Sequence, residues 1–266
     1  MKIYISADIE GITGITHWDE TKKSKSDYQK FAQQMTNEVK AACEGAINAG
    51  AKEIWIKDAH DTGRNIIAAD LPQKIKLVRG WSEHPFSMVQ ELDKSFDALL
   101  MIGYHSFAGS NSNPLSHTLS SRTFNYIKFN GEYASEFLIH SYAAATVGVP
   151  VVLVSGDEGI CKEASKINKN IKTVAVNRGV GNSIISIHPL LALEKIKKEV
   201  EASLKGDFDK YKIKLPEHFK VKLSFRNHTK AFKSSFYPGM EQISSTNVVF
   251  ESDDYFEVLR MLLFTT

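Results

Sequence analysis

The sequence of 266 residues contains only two cysteines, Cys43 and Cys161, and they are not spaced as a CxxC pair. Two isolated thiols indicate neither a disulfide framework nor a thiolate zinc site. We therefore predict that both side chains are buried as free thiols.

An excess of charge of one sign is also absent, because 33 lysines and arginines stand against 31 aspartates and glutamates, for a net charge of +2. No run of basic residues forms the stripe that binds a phosphate backbone. Nucleic acid is therefore not predicted as a partner.

Long apolar runs are missing as well, since none approaches the roughly 20 residues that cross a bilayer. The first apolar stretch continues directly into "ADIEG", is too short for the core of a signal peptide and lacks a small-residue cleavage site. We expect a cytoplasmic protein without a membrane partner, whose 42% hydrophobic residues supply a substantial core.

Short apolar, β-branched runs alternate with longer helical patterns. The predicted strands are "KIYISA", "EIWIKDA", "KLVRG", "ALLMIGY", "PVVLVSG" and the shorter "TVAV". Helices are predicted over 26–49, where Gly50 ends the pattern, and over 189–204. This alternation predicts an α/β fold with a mainly parallel sheet and helices on both faces.

A charged stretch with a proline follows residue 205 and suggests a soft domain boundary there. Residues 1–205 would form the larger α/β domain, and 206–266 a small C-terminal α/β subdomain. Within the latter, strands are predicted near 219–225 and 246–251, and a last helix near 253–264.

Side chains that can bind metal ions follow four of the predicted strands, where ligands of parallel sheets usually bind. They are Asp8 and Glu10, Asp58 and His60, His105, and Asp157 with Glu158. Carboxylates and imidazoles without thiolates suit zinc or manganese, and a shared aspartate could bridge two ions. The sequence thus favours a metal centre at this edge of the sheet.

Simpler roles exist for each residue taken alone. Asp8 could cap a turn, and His60 or His105 could be a hydrogen-bonded histidine. Asp58 could either orient a histidine ligand or be a satisfied carboxylate at a strand end. Asp157 could cap the following helix or contact substrate.

Seven motifs, taken in order, resemble those of the D-aminopeptidases of the DppA type, the M55 metallopeptidases. They are "SADIEG", "KDAH", "PFSMVQELD", "LLMIGYH", "LSHT", a Glu before "GVPVVLVSGD", and a late "YPG", which together span roughly residues 1 to 240. Each motif is weak alone, but their order is specific.

This resemblance implies two Zn²⁺ per subunit, with Mn²⁺ or Co²⁺ as possible substitutes. Asp8 would bridge the ions, Glu10 and His60 would complete one ligand set, and His105 and Glu136 the other. In addition, His117 of "PLSHT" matches a family histidine thought to act in catalysis. A loop histidine bonded to a backbone carbonyl is the alternative for His117.

The glutamate of the second ligand set has two candidates, Glu132 in "NGE" and Glu136 in "ASE". We place both on one predicted helix, where residues four apart share a face, so helical geometry does not separate them. By resemblance, the distance to Val149 and Pro150 favours Glu136.

The expected function is a zinc-dependent aminopeptidase that hydrolyses short peptides with an N-terminal D-amino acid, typically D-Ala, through a two-metal activated water. The D preference rests on the resemblance alone, as does a ring-shaped homo-oligomer. Residues 106–114, "SFAGSNSNP", are predicted to be a mobile loop over the site. The alternatives are another metal-dependent amidase, a phosphoesterase, or a non-catalytic binding protein.

Overall fold

The computed structural model describes residues 1–266, and its strands form two sheets. In chain order, the strands are β1 (Lys2–Ala7), β2 (Glu53–Asp58), β3 (Ile75–Val78), β4 (Ala98–Tyr104), β5 (Phe124–Phe129), β6 (Glu132–Tyr133), β7 (Val151–Asp157), β8 (Lys172–Val180), β9 (Ser183–Ser186), β10 (Phe219–Phe225), β11 (Met240–Gln242) and β12 (Asn247–Ser252). The α-helices are α1 (Tyr28–Asn48), α2 (Glu136–Thr146), α3 (Glu158–Ile167), α4 (Pro189–Leu204), α5 (His228–Ser234) and α6 (Tyr255–Thr265).

The larger sheet has seven strands in the order β3-β2-β1-β4-β7-β8-β9. Its strands are parallel except for β9, which pairs antiparallel with β8. Every residue of β4 and β7 is buried, as expected for central strands whose two faces are covered. The predicted α/β fold with a mainly parallel sheet flanked by helices is confirmed.

Helix α1 owes its position to one apolar stripe. Met35, Val39, Ala42 and Ala46 recur at helical spacing and are all fully buried. The helix ends two residues before Gly50, whose φ of +92° is a left-handed conformation that glycine adopts readily. Both cysteines are buried free thiols, as predicted.

The smaller sheet is antiparallel, in the order β11-β12-β10-β5-β6. Sequence analysis did not predict β5 and β6, which precede residue 205 and pair with the C-terminal strands through β10. The sheet therefore joins both sides of the proposed boundary at residue 205. The division into a domain of 1–205 and a subdomain of 206–266 stays a prediction.

Two glycines allow the loop after β1 to touch the last residues of β4. A Cβ on Gly103, which has a φ of +73°, would lie 2.3 Å from the backbone oxygen of Asp8. A Cβ on Gly11 would lie 1.8 Å from the backbone oxygen of Tyr104. Any side chain at these positions would push the loop after β1 away from β4. The glycines therefore determine how closely the residues that follow β1 and β4 approach each other.

None of the helices combines the length and the apolar character needed to span a membrane.

Candidate metal centre

The order of the sheet gathers four predicted site residues. Strand β1 lies between β2 and β4, and Asp8 and His105 directly follow β1 and β4. Glu10 and His60 each lie within three residues of the end of their strand. Parallel strands present their carboxyl ends at one edge, so these side chains converge there.

Asp8, Glu10 and His60 form the first group, with ligand atoms within 4.8 Å of one another. The Nδ1 atom of His60 lies 3.0 Å from Glu10 Oε2 and 3.5 Å from Asp8 Oδ1. Its other ring nitrogen, Nε2, lies 3.0 Å from the backbone oxygen of Thr21 and donates to it. The Nδ1 lone pair is thereby directed at the two carboxylates.

His105, His117 and Glu136 form the second group. The Nε2 atoms of His105 and His117 lie 3.4 and 3.6 Å from the two oxygens of Glu136. Each histidine donates its Nδ1 proton to a backbone oxygen, that of Ser106 at 3.0 Å and of Leu115 at 2.9 Å, respectively. The two rings stack with centroids 4.3 Å apart.

The Asp8 carboxylate connects the two groups. Its Oδ1 lies 3.5 Å from His60 Nδ1, and its Oδ2 lies 3.5 Å from His105 Nε2. One oxygen thus faces each group, which is the arrangement that a bridging ligand requires.

The donor chemistry of both groups fits divalent cations. Three of the atoms that face one another, Asp8 Oδ2, Glu10 Oε2 and His105 Nε2, are buried without a hydrogen-bond partner. Carboxylate oxygens and imidazole lone pairs only accept, so their close approach requires positive charge between them. The backbone bonds of the histidines fix the tautomers that a metal ligand needs.

The pKa values of the buried carboxylates and histidines also indicate that the site favours bound positive charge. Burial and the Glu10 carboxylate raise the pKa of Asp8 to about 8. Burial alone would lower the pKa of His105, but the carboxylates of Glu136, Asp8 and Glu10 together outweigh it and raise that pKa to about 10. Burial also lowers the pKa of His60, but the carboxylates of Glu10 and Asp8 outweigh it and raise that pKa well above its usual range.

The two candidate glutamates occupy different environments. Glu136 is the first residue of α2, is 3% exposed and also accepts from the backbone N–H of Leu119 at 2.6 Å. Glu132 is exposed on β6. The prediction that both lie on one helix is wrong, because the chain turns at Gly131 and pairs with β5 before the helix begins. The structure brings Glu136 into the second group and leaves Glu132 outside.

Asp58 and Asp157 fix the loops around the site. Asp58 accepts from the backbone N–H groups of Asn65 and Ile66 at 2.5 and 2.7 Å, which holds the loop after His60. It is therefore a satisfied carboxylate at a strand end, and no bond joins it to the His60 ring.

Asp157 caps α3 by accepting from Ile160 N at 2.8 Å, so the capping alternative is confirmed. It also accepts from Ser106 N at 2.7 Å and from Asn113 Nδ2 at 3.2 Å. Asn113 Nδ2 donates to the backbone oxygen of Glu10 at 2.8 Å as well. These bonds hold both ends of the segment 106–114, which sequence analysis predicts to be mobile.

The start of α2, and with it Glu136, is held by Ser135. Its hydroxyl accepts from Leu138 N at 3.1 Å and donates to Glu163 Oε1 at 2.6 Å. Burial raises the pKa of Glu163 to about 7.

We predict that Glu163→Gln removes a pH-dependent loss of stability. The folded-state pKa of Glu163 lies above the usual 4.5. The protonated Glu163 carboxyl therefore contributes to the free energy of unfolding in full below about pH 4.5. This contribution is lost as the pH rises through about 7. Urea unfolding at pH 5 and pH 8 should show the wild type losing about 1 to 2 kcal/mol more than the variant. Equal losses in both proteins would contradict the prediction.

A cavity of about 1240 Å³ opens above the two groups. Sequence analysis missed several of its lining residues, among them Trp18, Trp81 and His140. The Trp18 ring meets the His117 ring edge-on, with centroids 5.3 Å apart, and so restricts the plane of that imidazole. Only His140 carried a signal in the sequence, because it lies one helical turn after Glu136.

Comparisons with known proteins show the family of the chain. The sequence profile of the family described as D-aminopeptidase, peptidase family M55, matches residues 1–264. A D-aminopeptidase of Bacillus subtilis (strain 168) is 29% identical over 268 residues, covering 100% of this chain and 97% of that protein.

A similar solved structure is that of the Zn-dependent D-aminopeptidase DppA from Bacillus subtilis, described as a self-compartmentalizing protease. It superposes with a TM-score of 0.91 at 27% sequence identity, covering 100% of this chain and 96% of that one. The family indicated by the ordered motifs is confirmed, and the chain belongs to the M55 D-aminopeptidases.

Proposed function

We propose that this M55 peptidase is a zinc-dependent aminopeptidase that removes an N-terminal D-amino acid, of the D-Ala type, from short peptides. The observation that carries the proposal is the Asp8 carboxylate, whose two oxygens face two separate groups of buried ligands. The similarity to a Zn-dependent D-aminopeptidase supports the choice of metal and of substrate.

Two Zn²⁺ ions fit the donor set, with Mn²⁺ or Co²⁺ as substitutes. Glu10 and His60 would hold one ion, His105 and Glu136 the other, and Asp8 would bridge them. When bound, the ions supply the Lewis acidity that lowers the pKa of a water nucleophile and polarises the scissile carbonyl.

His117 is proposed as the residue that carries a proton to the leaving amine. Its Nδ1 is committed to the backbone oxygen of Leu115, and its side chain is 13% exposed and lines the cavity. Burial lowers its pKa, so the imidazole takes up and releases a proton without forming a stable cation. Stacking on His105 fixes the ring plane during that transfer.

We predict that His117→Ala lowers turnover by about 100-fold, the lower range of what a general acid or base contributes. The metal content should stay unchanged, because all five proposed ligands remain. Turnover of a D-dipeptide and zinc per chain, measured on the same preparation, test both statements. Loss of about one zinc would instead identify His117 as a ligand of the second ion.

The function is tested by a cleavage panel of D-Ala-D-Ala, L-Ala-L-Ala and p-nitrophenyl phosphate, run together with metal analysis. We expect release of D-Ala at a rate well above that of L-Ala. Cleavage of the phosphate alone would favour the phosphoesterase alternative. Less than one metal ion per chain, not restored by added zinc, manganese or cobalt, would favour a non-catalytic binding protein.

We further propose that the protein forms a ring-shaped homo-oligomer and acts in the cytoplasm. The similar DppA is described as self-compartmentalizing, and this chain exposes large apolar side chains on its C-terminal part. Phe236 and Phe264 are 72% and 71% exposed. Light scattering coupled to size-exclusion chromatography tests the assembly, and a monomer at micromolar concentration would contradict it.

A further inference from the structure

A recess between α2 and α6 opens from the cavity beside Glu136. Along α2, the cavity is lined by Glu136, Ile139 and His140, whose spacing of i, i+3 and i+4 places them on one face. Helix α6 packs against α2 and contributes Leu259, Leu262 and Leu263 to the same cavity. Four of these six residues are apolar, and His140 contributes the imidazole among them.

His140 brings an unpaired acceptor into this recess. The residue is 1% exposed, and its Nδ1 lies 2.7 Å from the backbone oxygen of Glu136, to which it donates. The lone pair is consequently on Nε2, which has no hydrogen-bond partner within the chain. Nε2 is not one of the fully buried polar atoms, so it is accessible from the cavity. Because Nε2 is not enclosed, a donor that enters the cavity can reach it and form the hydrogen bond that the chain itself does not supply.

The position of the ring indicates which donor that is. Helical side chains point back toward the helix N-terminus, so the His140 ring lies over the first turn of α2, next to Glu136. An aminopeptidase must hold the free α-ammonium of its substrate near the reacting carbonyl. The three buried carboxylates, Asp8, Glu10 and Glu136, face the histidines of the metal groups. Among the buried histidines and carboxylates that line the cavity, His140 is the one that lies outside the two metal groups.

We propose that His140 Nε2 accepts a hydrogen bond from the α-ammonium of the bound peptide. Ile139 and the leucines of α6 then pack against the apolar side chain of the same residue, which makes the recess the subsite for the N-terminal amino acid. This inference rests on the proposed aminopeptidase function and adds the group that recognises the free amine.

The test compares two non-hydrolysable ligands of the zinc-loaded protein, the phosphinic analogue of D-Ala-D-Ala and the same compound without its amino group. Calorimetry gives both affinities, and any contribution of the phosphinate cancels in their ratio. We expect the wild type to bind the amino compound at least about 10-fold more tightly, since a buried hydrogen bond to a charged group has about that effect. The ratio should fall to about 2-fold or less in His140→Phe and in His140→Leu, since neither side chain has a hydrogen-bond acceptor.

Asp61→Asn is the matched control, because Asp61 also lines the cavity but is exposed at its rim. We expect it to keep the wild-type ratio, and all variants to keep their zinc. A ratio that survives in both His140 variants, or that is lost only in Asp61→Asn, would overturn this inference while leaving the proposed function intact. A wild type that does not prefer the amino compound would overturn both.

Discussion

Asp8→Asn is expected to reduce the zinc content from two ions to one or fewer per chain and to lower D-dipeptide turnover by at least about 1000-fold. The reason is geometric, since each oxygen of Asp8 faces a different group of ligands at 3.5 Å. An amide in its place offers one oxygen and one N–H group, and the N–H group cannot bind a cation. One group therefore loses its shared ligand whichever way the amide is oriented.

Metal analysis by plasma mass spectrometry after dialysis gives the first readout, and turnover with added zinc gives the second. Asp61→Asn serves as the control for metal content, because Asp61 carries a carboxylate at the same cavity but belongs to neither group. An Asp8→Asn protein that retains two zinc ions per chain would refute the bridging role.

Glu136→Gln should cost nearly as much activity, whereas Glu132→Gln should leave it within about 2-fold of the wild type. The glutamates are four residues apart, but only Glu136 is buried against His105 and His117, and Glu132 is exposed. The pair tests one ligand position with the same chemical change. We expect one zinc per chain to be lost in Glu136→Gln and none in Glu132→Gln. The reverse pattern would assign the ligand to Glu132.

Much of the larger sheet could be predicted, because its strands are continuous apolar runs that are buried on both faces. "ALLMIGY" and "VVLVSGD" are buried at every position, so their sequence pattern reflects their environment directly. Strand β5 was not predicted, because its sequence "FNYIKF" is not a continuous apolar run. Its formation depends on a partner strand that is distant in the sequence. It pairs with β10, where Phe129 is opposite Val221, almost a hundred residues later in the chain. Local pattern carries no information about such a partner.

Within the candidate site, residues at strand ends were predictable and residues beyond β5 were not. Asp8, Glu10, His60 and His105 follow strands whose order then brings them together. The resemblance favoured Glu136 over Glu132, but helical geometry alone did not separate them, because the turn at Gly131 was predicted as helix. Trp18 reaches the cavity only through tertiary packing, whereas His140 lies one helical turn after Glu136 and could have been found from that spacing.

The pairing of β5 with β10 also constrains the order in which the protein matures during synthesis. The connection from His117 to Glu136 runs through β5 and β6. Strand β10, which pairs with β5, lies much later in the chain. A nascent chain that ends before β10 has all six proposed metal and catalytic residues but lacks the strand that fixes the path between two of them. Contacts so distant in sequence form late, because the entropy of closing the loop must be overcome first. We therefore expect the first group to assemble before β10 is present and the second group to form only after β10 has paired with β5.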